Sequence, residues 1–291
     1  MPTEAHIAHI RSRKNDKGKS PASPPTKTIT LLVLLADTPI ESVRRKLGYA
    51  SYHDVFCSLF QRSLDTIDDS SVELLVKSYD VVNEPWEYPS EQDLATASGI
   101  LITGSAASAY EDIPWINCLV DFTGQIPSKH PHLKLIGICY GHQIIARAFG
   151  GIVEKNKKGW ELGVRSVELT DIGKKLLKGS SNATSKLDIH QVHQDHVPAL
   201  PSSQFGLLGS TPVCDVQGMV SPPDPSSLQD VKIFTLQGHP EFSPELVLEI
   251  IDAREAKGIL TKEFAEQSRA DARLHDEGVQ LGVVILTIVG L

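Results

Sequence analysis

The stretch that decides the fold runs from Leu133 to Gln143 and has the sequence LKLIGICYGHQ. Its first residues are mostly apolar, as in a buried strand, and the residues that follow it, IIARAFGG, favour a helix. Gly137 and Gly141 flank Cys139 two residues away on each side. This spacing is typical of the sharp strand-to-helix turn on which enzymes expose a nucleophile, because side chains at the glycines would crowd the turn.

Cys139 is therefore the predicted nucleophile. It would begin the following helix, where unpaired N–H groups and the helix dipole favour a thiolate over a thiol. The other cysteines, Cys57, Cys118 and Cys214, have no such context, and we interpret them as small buried hydrophobic residues.

A base and an orienting carboxylate are found in the segment GHPEF, which contains His239 and Glu241. The apolar run 231–236 precedes it and predicts a buried strand, so His239 would lie at the same carboxyl edge of the sheet as Cys139. Residues two apart in an extended chain point the same way, so Glu241 can reach the imidazole of His239. Taken alone, the segment 239–241 could also be a surface turn. The presence of the elbow at Cys139 favours the catalytic interpretation.

These two motifs resemble the class I, triad-type glutamine amidotransferase family, in particular its stand-alone, single-domain branch. The resemblance extends to GILITGSAASAY at 99–110, KGWELG at 158–163 and HQDHV at 193–197, and it covers about residues 30–275. It implies an α/β fold, a flavodoxin-like and mainly parallel sheet with helices on both faces and a nucleophile elbow. Residues 28–291 would form this domain.

The resemblance also implies a catalytic triad of Cys139, His239 and Glu241 that attacks the γ-amide of glutamine and forms a γ-glutamyl thioester. Backbone N–H groups would form the oxyanion hole, one from the residue after the nucleophile and one from the Gly-Ser loop; these residues are Tyr140, Gly104 and Ser105. Alternatively, segment 104–110 is only a loop of small residues without a catalytic role.

Three further residues lie beside the substrate pocket by the same resemblance. Asp195 would pair with a substrate ammonium group, Gln143 would bond the polar α-end of the substrate, and His193 would lie next to both. The segment 190–196 also holds three histidines and an aspartate in seven residues, which suggests a metal site. In a strand, however, His190 and His196 share one face and His193 the other. No H-E-x-x-H or paired C-x-x-C accompanies them, so we expect no metal ion, and no cofactor.

Two functions remain open from the sequence. The first is a glutamine amidotransferase that supplies ammonia to a biosynthetic partner. That partner would be a separate synthase, because the chain has no Walker-type phosphate loop and no room for a second large domain. The second is a stand-alone γ-glutamyl peptidase or transpeptidase that cleaves γ-glutamyl peptides or conjugates. A catalytically idle sensor or scaffold is a third, weaker alternative, since the nucleophile, base and carboxylate are all present.

Composition limits the class of protein further. The chain has 291 residues, 41% of them hydrophobic, which is enough for one sizeable core. A net charge of -8 argues against a nucleic-acid-binding surface. Four scattered cysteines and the lack of a recognisable secretory signal predict a reducing, cytoplasmic location.

Residues 1–27 are basic and rich in proline, and we expect a tail without regular structure. The apolar segment 281–291 is shorter than the roughly 20 residues that span a bilayer, so we expect no membrane association and a closing strand or helix that packs on the core.

Segment 217–230, rich in proline and serine, is predicted to be a loop. Buried strands are predicted at 31–36, 74–82, 100–103, 133–138 and 231–236, with helices near 54–64, 113–125 and 142–149 and a helix start at Ser243.

Overall fold

The computed structural model describes residues 6–13, 25–67, 69, 71–177 and 185–291. Within them, the strands are β1 Ile7–Ile10, β2 Lys27–Leu35, β3 Val72–Asp80, β4 Gly99–Ile102, β5 Lys134–Ile138, β6 Glu154–Lys155, β7 Glu161–Leu169, β8 Lys186–His193, β9 Asp195–His196, β10 Gly206–Ser210, β11 Gly218–Ser221 and β12 Ile233–Leu236. The α-helices are α1 Glu41–Leu47, α2 Tyr52–Ile67, α3 Glu91–Thr96, α4 Pro114–Lys129, α5 Tyr140–Ala148, α6 Asp171–Leu176, α7 Pro244–Ala256, α8 Lys262–Asp271 and α9 Gly278–Ile288.

Ten strands form one mixed sheet in the order β1-β3-β2-β4-β5-β12-β11-β10-β7-β8, and β6 pairs with β9 separately. The five strands β3, β2, β4, β5 and β12 run parallel to their neighbours within this group. Numbered along the chain, they have the order 2-1-3-4-5 of flavodoxin-like folds. The predicted fold class is therefore confirmed, and antiparallel strands extend the sheet on both sides.

The central parts of the parallel strands are mostly apolar because helices cover both of their faces. In β2, Leu31 and Val33 pack in one buried cluster with side chains of α2 and α9. Leu32 and Leu34, on the opposite face, pack in a second cluster with side chains of α4 and α5. All five predicted strands and the three predicted helices are present, with shifts of a few residues at their ends.

The start of α7 follows the sequence prediction in detail. Ser243 is its N-cap, and the Ser243 hydroxyl accepts a hydrogen bond from the backbone N–H of Leu246. Pro244 occupies the first helical position, where its missing N–H costs nothing. Gly258 follows the helix with a φ of 69°, a left-handed conformation that suits glycine.

The predicted loop at 217–230 is wrong in its first part. Residues Gly218–Ser221 form β11, which pairs with β10 and β12, and Met219 and Val220 are fully buried. A strand of four residues between polar and proline-rich neighbours carries too little periodicity to be recognised, and its partners are set by the sheet rather than by local sequence.

The predicted structureless tail is also corrected in part. Residues Ile7–Ile10 form β1, which pairs antiparallel with β3 and covers the outer edge of that strand. Ile10 is buried in the core, and Arg11 donates to the carboxylate of Glu73. Short edge strands are held by pairing and burial that a sequence pattern does not reveal. Residues 1–5 and 14–24 of the predicted tail lie outside the described residues.

The apolar C-terminal segment forms α9, which packs against α2, as expected for a closing element. Gly282 lies directly over Leu59 and Ser63 of α2. The Ser63 hydroxyl donates to the backbone oxygens of Leu59 and Val279 and so links the two helices. Among the helices of the described residues, none has both the length and the apolar composition needed to cross a membrane.

We expect Gly282→Ala to lower the free energy of unfolding by about 1–2 kcal/mol. Alanine improves helix propensity by about 1 kcal/mol over glycine, but the added Cβ would overlap the Ser63 hydroxyl and press on Leu59 at 3.1 Å. Urea unfolding of Gly282→Ala, Ser63→Ala and the double variant measures the balance. Removing the hydroxyl should recover part of the loss in the double variant; strictly additive effects would contradict the predicted contact.

Candidate active site

Cys139 lies at the turn between β5 and α5 and has φ 52° and ψ -102°. Of the non-glycine residues that the structure describes, it alone has a positive φ. Such a backbone conformation costs about 1–3 kcal/mol and persists only where the surroundings enforce it. Its N–H donates to the backbone oxygen of Leu236 in β12, and its side chain is 5% exposed.

The glycines on either side are required by contact. A Cβ on Gly137 would lie 2.6 Å from the backbone oxygen of Gly141, and a Cβ on Gly141 would overlap the backbone oxygen of Ile102 in β4. The N–H of Gly141 donates to the oxygen of Thr103 at 3.2 Å. Side chains at Gly137 and Gly141 would therefore collide with the backbone of the turn, as the sequence analysis expected.

His239 follows β12 and faces the thiol. Its Nδ1 lies 2.8 Å from Oε1 of Glu241, and the Cys139 side chain is close enough to raise the pKa of the ring. The imidazole stacks on Phe242, with ring centroids 4.0 Å apart and planes 5° from parallel. The backbone N–H of His239 donates to the oxygen of His190 in β8. The three residues of the predicted triad are thus brought together in the order Cys139, His239, Glu241.

The charge state of His239 follows from its neighbours. Burial alone lowers its pKa, but the charges of Cys139 and Glu241 and the hydrogen bonds to both raise it from 6.5 to about 10. A raised pKa means that the imidazolium stabilises the folded protein fully below pH 6.5 and that this stabilisation is lost as the pH rises through about 10. By contrast, burial raises the pKa of the Cys57 and Cys214 thiols to about 12, which keeps both protonated.

The loop after β4 lies against this pair. A Cβ on Gly104 would be 2.9 Å from Cε1 of His239 and 3.8 Å from Cβ of Cys139. Asp37, at the end of β2, accepts a hydrogen bond from the N–H of Ala106 and fixes the loop, and burial raises its pKa. Ser105 and Cys139 line one pocket. The sequence analysis did not identify Asp37, because its position after a strand is its only distinguishing feature.

The predicted substrate residues Gln143, His193 and Asp195 line the pocket, and all three already have hydrogen-bond partners. Gln143 donates through Nε2 to the backbone oxygen of Asp195 and to the side chain of Gln237. Gln237, which the sequence analysis missed, also donates to Sγ of Cys139 at 3.5 Å. The Asp195 carboxylate accepts from the Ser108 hydroxyl at 2.6 Å and faces the pocket.

His193 belongs to a buried polar network. Its Nε2 lies 3.1 Å from Oε2 of Glu161 and its Nδ1 lies 3.0 Å from the backbone oxygen of Asp195. Glu161 also accepts from Thr211 and Gln217. Sequence analysis missed Glu161, although register pairing of β7 with β8 places it opposite His193.

The network also bears on the question of a metal. Ligand atoms of Glu161, His193 and Cys214 lie within 4.8 Å of one another, a group that the sequence analysis did not foresee. Both oxygens of the Glu161 carboxylate accept hydrogen bonds, and burial keeps the Cys214 thiol protonated. These contacts describe a satisfied hydrogen-bond network that holds His193 and the Asp195 backbone in place.

The pocket around Cys139 has a volume of about 450 Å³. One wall is a face of α7, where residues three or four apart line the cavity: Leu246, Ile250, Ala253, Arg254 and Lys257. Arg254 stacks on the Trp160 ring at 4.4 Å from its centroid. Sequence analysis missed this wall, because α7 was recognised only by its cap.

Comparison with known proteins identifies the family. Residues 63–248 match the family model of the glutamine amidotransferase class-I domain. A glutamine amidotransferase-like protein of Schizosaccharomyces pombe is 35% identical over 247 residues, which is 85% of this chain and 91% of that protein. γ-Glutamyl peptidase 3 of Arabidopsis thaliana is 33% identical over 227 residues, 77% of this chain and 82% of that protein.

The fold comparison agrees. The crystal structure of a glutamine amidotransferase from Thermotoga maritima superposes with a TM-score of 0.59 at 18% identity and covers 90% of this chain and 99% of that chain. The chain belongs to the class-I glutamine amidotransferase family. Family membership confirms the resemblance found in the sequence.

We expect the pKa of His239 to fall in Cys139→Ala, because the variant removes the largest cause that raises it while burial still lowers it. Titration of the imidazole signals by NMR measures this shift, with Cys118→Ala as the control in which the pKa should stay unchanged. Equal pKa values in the two variants would contradict the charge coupling between Cys139 and His239.

Proposed function

We propose that the protein is a hydrolase of γ-glutamyl amides in which Cys139 is the nucleophile, His239 the acid and base, and Glu241 the orienting carboxylate. The observation that carries this proposal is the geometry: Cys139 lies on a strained strand-to-helix turn beside a buried imidazole that Glu241 holds, so His239 is placed to take the thiol proton. The raised pKa of His239 supports its role as a base. The hydrogen bond from Nδ1 to Glu241 directs the other ring nitrogen towards the thiol.

In the proposed reaction, Sγ of Cys139 attacks the γ-carbonyl carbon, and negative charge develops on the carbonyl oxygen. Tyr140 is the first residue of α5, so its N–H has no helical partner and is suited to bind that oxygen together with the Gly104-Ser105 loop. His239 gives its proton to the leaving nitrogen as the C–N bond breaks. Water then attacks the thioester, returns a proton to His239 and releases glutamate with the free thiol.

Between the two leaving groups considered, the pocket favours an amine or peptide over ammonia. A volume of about 450 Å³ lies within the range of about 300–1,000 Å³ typical of sites for small organic ligands. The wall formed by α7 extends along the cavity for about 12 Å from Leu246 to Arg254, at 1.5 Å per residue. Ammonia needs no such wall, and the similarity to a plant γ-glutamyl peptidase supports the same choice.

Supply of ammonia to a separate synthase is the second candidate, because family membership is equally compatible with it. The same three residues would carry the chemistry. The two functions differ in what happens with purified protein: a peptidase acts alone, whereas a partner-dependent glutaminase is expected to be slow until its partner completes the site.

Replacement of the triad residues tests the shared chemistry. We expect Cys139→Ser and His239→Ala each to lower kcat by about 10⁴-fold or more, and Glu241→Gln to lower it less, because Phe242 still holds the imidazole. Steady-state hydrolysis of a γ-glutamyl amide measures this, with Cys118→Ser as the matched control that should keep full activity. If the Cys139 and His239 double variant lost the product of both effects, the two residues would not act as one unit.

Turnover by purified protein separates the two candidates. We expect kcat/KM for at least one γ-glutamyl dipeptide to exceed that for glutamine by about tenfold, because only the dipeptide fills the α7 side of the pocket. Release of the amino acid and of ammonia is measured side by side. A protein that is inert towards the whole panel, yet labelled at Cys139 by an electrophilic glutamine analogue, would instead indicate a partner-activated amidotransferase.

A further inference from the structure

Arg254 is a half-buried cation without a counterion among the described residues. No residue of the described chain accepts a hydrogen bond from its guanidinium group or forms an ion pair with it, and its Nη1 atom is shielded from solvent. Its contact with Trp160 engages the face of the guanidinium, which leaves the N–H donors along the edge unpaired. Burial lowers the pKa of Arg254, against the charges of Cys139 and Tyr52, but an arginine stays charged at neutral pH.

An unpaired donor of this kind is expensive to bury, so its position needs a reason. Arg254 lines the same pocket as Cys139 and His239. Two further cations, Lys155 and Lys257, line this pocket, and neither forms an ion pair with any described residue. In a chain with a net charge of -8, this collection of unpaired positive charges indicates a site for an anion.

We propose that Arg254 binds a carboxylate on the leaving portion of a γ-glutamyl peptide, and that the enzyme selects substrates whose leaving amine carries this carboxylate. The planar fork of a guanidinium matches a carboxylate through two parallel hydrogen bonds, better than a point charge does. This proposal rests on the proposed hydrolysis of γ-glutamyl amides. It names the class of leaving group that the site accepts.

The position of Arg254 favours the leaving portion over the γ-glutamyl portion. Arg254 lies about two turns beyond Leu246 on α7, the helix that begins just after His239, so it lines the pocket towards the far end of that helix. The acid Asp195 lies on a different element, β9, and suits the substrate ammonium group. Cys139 and Arg254 line the same pocket, and the charge of Cys139 acts on Arg254. Each extended residue spans about 3.5 Å, so a leaving group of one or two amino acids is of the size that this pocket holds.

A matched pair of substrates tests the proposal. γ-Glutamylglycine carries the leaving-group carboxylate, and γ-glutamylglycinamide differs only in having a neutral amide there. We expect wild-type protein to prefer the acid by about ten- to a hundredfold in kcat/KM, and Arg254→Met to lose this preference because its kcat/KM falls far more for the acid than for the amide. Arg254→Lys should recover only part of the preference, and Lys262→Met, which removes an exposed charge outside the pocket, should retain all of it.

Binding gives a readout that does not depend on turnover. In Cys139→Ala, calorimetry should show tighter binding of the acid than of the amide, and adding Arg254→Met should abolish the difference. If wild-type protein turned over neither substrate while this difference in binding was present, the result would contradict the proposed hydrolase activity and support the carboxylate site. Equal losses for both substrates in Arg254→Met, or no loss for either, would overturn it, because the arginine would then bind the γ-glutamyl end or serve only structure.

Thermal unfolding separates the functional role from a structural one. Methionine replaces an unpaired, partly buried charge by an apolar side chain that can still contact Trp160. Without ligand, the melting temperature of Arg254→Met should therefore equal or exceed that of wild type. A melting temperature several degrees lower, with both substrates affected alike, would overturn the proposal.

Discussion

The strained backbone of Cys139 is the constraint on which the rest of the site depends. A φ of 52° at a residue with a side chain is sustained only because the turn is held from both sides. The N–H of Cys139 is fixed to β12 and that of Gly141 to the residue after β4, while the neighbouring glycines let α5 approach to contact distance. The energy of the parallel sheet thus maintains a conformation that the local sequence disfavours, and the thiol is directed into the pocket.

Parallel strands bring the remaining groups to the same edge. The carboxyl ends of β2, β4, β5 and β12 carry Asp37, Gly104, Cys139 and His239 in turn, so residues far apart in sequence meet without long loops. Burial there strengthens the charge interactions between Cys139, His239 and Glu241, and these together with the hydrogen bonds outweigh the effect of desolvation on the pKa of the imidazole. The fold and the reactivity are therefore two consequences of one arrangement of strands.

The parts of this arrangement that the sequence predicts are local. The elbow at Cys139, the triad order and the apolar parallel strands each depend on a few consecutive residues with a distinct spacing. The parts it does not predict depend on distant partners: β1 and β11 are defined by pairing, Glu161 by its register opposite His193, and Arg254 by a helix face that lines the cavity. Such residues have ordinary local sequence, and only the tertiary structure gives them a role.

Opposite charges on different walls of one cavity provide direction as well as affinity. The acid Asp195 on β9 and the cation Arg254 on α7 would bind the two ends of a zwitterionic peptide, with the scissile amide between them near Cys139. A substrate turned end for end would meet like charges in a poorly hydrated site, where repulsion is costly. The backbone of Cys139 is held from both sides, so in the proposed reaction the substrate must be brought to the thiol. Orientation of the substrate by these charges would then place the γ-carbonyl within reach of Sγ of Cys139.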